Sequence, residues 1–127
     1  MAIKIVDIIV ERKGKILLIK RGDFWILPGG EYAEGESELQ RLEEVVAREM
    51  NDRVAGIFRK LDRTITGPSP VRAGEVEVSV YVGDISSEKM SDVRDCNATW
   101  FSRESIGSIR LSNITREILD YYFSSGE

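Results

Sequence analysis

The segment from Ser37 to Met50 constrains the fold most, because it carries the pattern of a surface helix and has strand-like sequence on both sides. Ser37 and Gln40 form a capping-box pattern at the predicted helix start, and Asn51 suits the left-handed conformation that ends a helix. The apolar residues recur at steps of three and four, as one buried stripe requires: Leu39, Leu42, Val46 and Met50. This helix, called the box helix below, must pack on another layer, which indicates an α/β domain.

Strand-like segments precede and follow the box helix. They are rich in Ile, Val and aromatic residues, which favour strands. Residues 75 to 82 alternate strictly, with four valines on one face, as in a strand with one buried face. We predict strands at Ala2 to Val10, Lys15 to Lys20, Phe24 to Leu27, Glu75 to Val82 and Ala98 to Phe101, with an extended segment at Arg53 to Ile65.

Turns and a second helix complete the predicted layout. Two glycines after Pro28 allow close backbone approach, and we expect Glu31 to Glu36 to be a loop. Gly67-Pro68-Ser69-Pro70 should also be a loop, because proline cannot donate a hydrogen bond to a sheet. Ser102 to Ile106 is predicted as a helical turn and Ser112 to Phe123 as a closing helix.

Composition excludes several classes of function. The chain has 127 residues, a size typical of one domain, and we treat residues 1–127 as a single unit. It contains no histidine, which excludes catalysis by an imidazole base and histidine-ligated zinc. The only cysteine, Cys96, forbids an internal disulfide.

Charge and hydropathy narrow the partners. The net charge of −4 argues against nucleic acid as the main partner. No apolar run approaches the roughly 18 residues of a membrane helix, and Asp7 interrupts the apolar N-terminal stretch that a signal peptide would need. We therefore expect a cytoplasmic protein with neither a membrane nor a nucleic-acid partner.

The strand order, the Leu27-Pro28-Gly29-Gly30 turn, the Gly35-Glu36-Ser37 loop and the acidic helix together resemble the Nudix (MutT-like) hydrolase family. Trp100 to Glu104 resembles the late tryptophan strand and turn of that family, so the resemblance spans nearly the whole chain. It implies an α/β/α sandwich in which a mixed sheet lies between the box helix and the C-terminal helix.

The family's signature is Gly, five residues, Glu, seven residues, then Arg-Glu-apolar-any-Glu-Glu-any-Gly-apolar. Aligned from Gly30, this sequence is a degenerate form of it. The residue type is kept at Gly30, Glu36, Val46 and Glu49. It is changed at Glu44, Val45, Arg48, Asn51 and Asp52.

The changes fall on the positions that would hold a metal ion. Positions 45, 48 and 49 share one helix face, and three carboxylates there would suit magnesium, which prefers oxygen ligands. With Val45, Arg48 and Glu49 the formal charge of that face changes from minus three to zero. We therefore expect metal-dependent hydrolysis to be weakened or lost.

The resemblance implies an enzyme that hydrolyses the pyrophosphate of a nucleoside diphosphate linked to another group, with Mg or Mn as cofactor. Glu49 and Glu36 would then carry the remaining catalysis and metal binding, and Gly29 and Gly30 would shape the ligand loop. The alternative is a non-catalytic Nudix-fold module that binds a nucleotide, an anionic metabolite or a protein partner.

The sequence leaves two further interpretations open. Arg41 and Arg48 lie two helical turns apart and could bind a phosphate without metal, or could pair with Glu38 and Glu44. Aromatic residues near the turn could stack on a nucleobase or simply pack in the core: Phe24, Trp25, Tyr32 and Phe58. A homodimer formed through apolar strand faces is also possible from the sequence.

Overall fold

A computed structural model describes residues 2–69, 73–86 and 98–124, without the side chains of residues 57 and 58. This part of the chain does not include Cys96, Pro70 or the Phe58 side chain, for which we made predictions from the sequence. The described strands are β1 (Ile3–Arg12), β2 (Lys15–Arg21), β3 (Phe24–Ile26), β4 (Gly29–Glu31), β5 (Val54–Lys60), β6 (Ile65–Pro68), β7 (Glu75–Ile85) and β8 (Ala98–Ser102). The described helices are α1 (Glu38–Met50), α2 (Arg103–Ile106) and α3 (Asn113–Ser124).

The strands form a mixed sheet. Its main path runs β3-β2-β1-β7-β5, while β4 pairs with β1, β6 with β7 and β8 with β2. β1 and β7 run parallel from the pair Ile3 and Val76 to the pair Val10 and Gly83, and the other strand pairs are antiparallel. The mixed sheet predicted from the resemblance is therefore confirmed.

Two apolar clusters lie on opposite faces of this sheet because β1 is apolar on both faces, as a strand buried on both sides must be. One cluster joins α1 to β1 and includes Leu42, Val46, Met50, Val6, Ile8 and Val10. The other joins α3 to β1 and β7 and includes Ile114, Ile118, Leu119, Ile9, Val78 and Val80. The predicted α/β/α sandwich is thus present, with the box helix and the C-terminal helix as its outer layers.

Two predicted loops are partly strands. Gly29–Glu31 forms β4 and pairs with β1, because Gly29 has no side chain to collide with the strand beside it. Gly67 and Pro68 end β6, where Pro68 lies opposite Glu75 at the terminus of the strand and proline is tolerated.

The box helix begins and ends as predicted. The Ser37 hydroxyl accepts a hydrogen bond from the Gln40 backbone N–H, and Asn51 is left-handed at φ 49° and ψ 46°. Leu39, predicted to be buried, is instead 40% exposed. In this first turn the side chain that meets the sheet is Glu38, which bonds to Tyr32 and Tyr81.

Substituting Ser37 by alanine should lower the free energy of unfolding by about 1 kcal/mol, because the Gln40 N–H loses its capping partner. Urea unfolding measures the change. Ser108→Ala, in an exposed turn outside α1, is the control and should cost less. An equal loss in both variants would contradict a capping role for Ser37.

None of the helices in the described part of the chain is long and apolar enough to cross a membrane. The cytoplasmic location and the single-domain assignment stay predictions.

Candidate functional site

The N-terminus of α1 is fixed to the sheet through Glu38. Its carboxylate accepts hydrogen bonds from Tyr81 and Tyr32, each at 2.7 Å, and pairs with Lys60 at 3.1 Å. Burial alone would raise the pKa of Glu38, but the hydrogen bonds from Tyr81, Ser79, Tyr32 and Lys60 outweigh it and lower the pKa to about 2. Glu38 is therefore a structural anchor and not a free ligand.

Glu38 should make stability depend on acid pH. Since its folded pKa of about 2 lies below the ordinary value of 4.5, its contribution is present above pH 4.5 and is lost as pH falls toward 2. The loss should amount to about 3 kcal/mol. Urea unfolding at a series of pH values should show this fall, and Glu38→Gln should reduce it.

Glu43→Gln is the matched control, because Glu43 is exposed on the same helix. It should leave the acid dependence unchanged. A Glu38→Gln variant that kept the full acid dependence would show that other carboxylates produce it.

The face of α1 that carries residues 45, 48 and 49 was predicted to have no net charge, and most of it is buried or ion-paired in the structure. Val45 is fully buried, and a Cβ placed on Gly30 would lie 2.9 Å from its Cγ2, so the two residues pack directly. Glu49 is ion-paired, with its Oε1 2.6 Å from Nη2 of Arg21 on β2. Arg48 is mostly exposed, and its guanidinium lies 4.0 Å from the same carboxylate. This face therefore offers one carboxylate, and that carboxylate has a cationic partner.

Glu36 and Arg41 form a separate group at the start of α1. The Ala33 N–H donates to Glu36 at 2.5 Å and, with Arg41, lowers the pKa of Glu36. Arg41 pairs with Glu36 at 3.3 Å and with Glu44 at 2.9 Å. Of the pairs that the sequence suggested for the two helix arginines, the Arg41–Glu44 pair is present. Phosphate binding by Arg41 and Arg48 and metal binding by Glu36 with Glu49 stay predictions.

The aromatic residues near the turn mainly pack. The Trp25 ring meets Phe101 edge to face at 4.7 Å and lies against the α3-side cluster. Tyr32 lies against the α1-side cluster, and the Phe24 ring faces the Arg110 guanidinium at 5.0 Å. These contacts agree with the packing interpretation.

A cavity of about 160 Å³ opens beside the Gly29-Gly30 strand. Its lining is largely apolar and comes from β1, β2, β3, β4, β7 and α3, with Ile5, Val76, Val78 and Ile114 among the residues. The charged lining residues are Asp7, Arg21 and Glu31. Because Arg21 also binds Glu49, the cavity adjoins the box-helix face.

Asp7 and Arg21 are functional candidates that sequence reasoning missed. Asp7 served there only as an argument against a signal peptide, and Arg21 was not singled out at all. The available signal was the placement of Asp7 between Val6 and Ile8 in an otherwise apolar run, where an ionisable group needs a reason. Gly29 and Gly30, which were predicted as ligand residues, do line the cavity.

Comparison with known proteins places this architecture. No protein-family model matches the chain. No curated protein matches it. A solved MutT NUDIX hydrolase from Burkholderia pseudomallei aligns over 94% of this chain and 97% of its own, with a TM-score of 0.75 at 21% identity. The chain has the Nudix fold.

Two other solved structures share this Nudix fold. A NUDIX hydrolase from Nitrosomonas europaea aligns over 98% of this chain and 90% of its own, at 18% identity and a TM-score of 0.75. The NUDIX domain of Shewanella oneidensis NrtR, complexed with ADP ribose, aligns over 100% and 90%, at 17% identity and a TM-score of 0.73. At sequence identities this low, the similarity shows a shared fold and does not by itself show a shared activity.

Whether this site suits a divalent metal ion depends on the donor atoms that its side chains offer. A magnesium site needs several oxygen ligands, usually carboxylates shared with substrate phosphates. Within residues 2–69, 73–86 and 98–124, no three Asp, Glu, His or Cys side chains come together in such a group. The one carboxylate on the relevant helix face, Glu49, is bound by Arg21. The described residues thus lack the cluster of oxygen donors that a divalent metal ion requires.

Proposed function

We propose that this chain is a Nudix-fold binding protein for a phosphate-bearing small molecule of the nucleotide class, without metal-assisted hydrolysis. The observation that carries the proposal is the replacement of a carboxylate cluster by the buried Val45 and the Arg21–Glu49 ion pair. The complex of the NrtR NUDIX domain with ADP ribose supports the ligand class. The protein-partner alternative and a homodimer have no comparable support.

Arg21 is the residue to which we assign the phosphate. It is the cationic residue of the cavity lining and is 40% exposed in its side chain, so an anion can reach it. Its guanidinium has more than one edge, and one edge can stay on Glu49 while another binds a phosphate oxygen. Glu49 would then hold Arg21 in place instead of binding a metal ion.

Titration calorimetry with Mn²⁺, together with a hydrolysis assay on ADP-ribose and UDP-glucose, tests the loss of catalysis. We expect no Mn²⁺ binding with a dissociation constant in the millimolar range or below, and no turnover above background. Glu49→Ala measures any turnover due to the retained glutamate. Metal binding with turnover that disappears in this variant would overturn the proposal in favour of a working hydrolase.

Arg21→Gln tests the assignment of the phosphate. Inorganic pyrophosphate should bind this variant about tenfold more weakly than the unaltered protein, because a charge-assisted hydrogen bond is lost. Lys15→Gln removes the same charge from an exposed position on the same strand and should have little effect. Equal weakening in the two variants would indicate general electrostatic attraction and not a site at Arg21.

A further inference from the structure

Asp7 is a buried acid that faces the cavity. Only 8% of its surface is exposed, yet it belongs to the cavity lining. It lies opposite Gly29 in the β1–β4 pairing, and a Cβ on Gly29 would fall 1.8 Å from its Oδ1. The missing side chain of Gly29 therefore leaves the space that the carboxyl group occupies.

The described residues give this carboxyl group no hydrogen-bond partner. Arg21 and Glu31 also line the cavity, but neither contributes to the shift in the Asp7 pKa, which burial alone raises well above its ordinary value. The remaining lining from β7 and α3 includes Val76, Val78, Ile114 and Thr115, which carry no charge. A buried polar group without a partner costs free energy, so a bound ligand that supplied one would gain.

We propose that Asp7 is a specificity-determining residue which, as a neutral carboxylic acid, exchanges two hydrogen bonds with one edge of a nitrogen heterocycle buried in the cavity. This inference rests on the proposed function, since the phosphate at Arg21 belongs to the same ligand. A neutral carboxyl group presents one O–H donor and one carbonyl acceptor side by side. A heterocycle with an adjacent donor and acceptor, as in a nucleobase, matches that pattern.

The dimensions and lining of the cavity agree with such a ring. Another protein's apolar cavity of about 150 Å³ accepts benzene, so a volume of about 160 Å³ has room for one aromatic ring. Ile5, Val78 and Ile114 supply apolar surface for its faces, and Asp7 supplies the polar contact at its edge. Ligand pockets commonly combine an apolar lining with few polar groups that fix orientation.

Two substitutions at one position separate the roles of shape, charge and hydrogen bonding. Asp7→Asn keeps a donor group and an acceptor group side by side without an ionisable proton, and so imitates the neutral acid. Asp7→Leu keeps a similar size and removes both. Both changes replace a buried acid with an uncharged group, and thermal unfolding should show that both variants fold.

Titration calorimetry should compare UDP, ADP and inorganic pyrophosphate as ligands. In the unaltered protein, at least one nucleoside diphosphate should bind about tenfold more tightly than pyrophosphate. Asp7→Asn should keep this difference and Asp7→Leu should lose it, while pyrophosphate affinity stays the same in all three proteins. As pH rises, nucleoside diphosphate affinity should fall in the unaltered protein more than in Asp7→Asn, which retains Arg21 and Glu31.

Each other result contradicts a defined statement. Equal binding of pyrophosphate and both nucleoside diphosphates, or a difference that persists in Asp7→Leu, would overturn the role of Asp7 and leave the phosphate site standing. Loss of the difference in Asp7→Asn would overturn the neutral-acid assignment. Binding of none of the three ligands would overturn the proposed function itself.

Discussion

Replacing Val45 by glutamate should lower the free energy of unfolding by about 4 kcal/mol, because it buries an unpaired carboxylate where the structure has an apolar contact. Val45 has no exposed surface and packs against Gly30. Since small domains are stable by only about 5–15 kcal/mol, the loss should move the urea midpoint strongly. Urea unfolding of the two proteins side by side measures it.

Arg48→Glu is the matched control for this prediction. It introduces the same residue one helical turn away, at a side chain that is 61% exposed, and should change stability by less than about 1 kcal/mol. A Val45→Glu variant as stable as Arg48→Glu would show that position 45 is open to solvent. The helix face at positions 45, 48 and 49 would then have lost metal-binding carboxylates without becoming part of the apolar core.

Some features of the box helix could be predicted from its sequence and others could not. Its cap at Ser37 and its end at Asn51 depend on local chemistry, and both are as predicted. Whether Leu39 is buried or exposed depends on how far the sheet extends beneath the first turn of the helix. The helical spacing of apolar residues carries no information about that extent. Glu38 occupies that place because Tyr81 on β7 and Tyr32, which directly follows β4, both donate hydrogen bonds to it there.

The sandwich itself was predictable because a resemblance spanning the chain supplied the layer order. The candidate site was predictable only in part. The sequence predicts the loss of two carboxylates, because Val45 and Arg48 stand at their positions. It does not predict the ion-pair partner of Glu49, because Arg21 is 28 residues away along the chain. Asp7 was missed for a related reason: only the pairing of β1 with β4 reveals that Gly29 leaves room for its carboxyl group.

Gly29→Ala should destabilise the protein by about 4 kcal/mol, because the added methyl group has no space. Its Cβ would lie 1.8 Å from the Asp7 Oδ1 and 2.4 Å from the Val6 carbonyl oxygen, so a side chain and a backbone strand would both have to move. The cost should appear as a lowered midpoint in thermal and urea unfolding. Gly107→Ala is the control, since its nearest contact would be an ordinary 3.5 Å and the loss there should be small.

Combining Gly29→Ala with Asp7→Ala separates the two clashes. Removing the carboxyl group relieves the contact with Oδ1 but leaves the contact with the Val6 backbone, so the double variant should recover only part of the lost stability. Full recovery would mean that β1 and β4 can separate at this point without cost. No recovery would place the Asp7 carboxyl group away from Gly29, and the proposed cavity contact would fail with it.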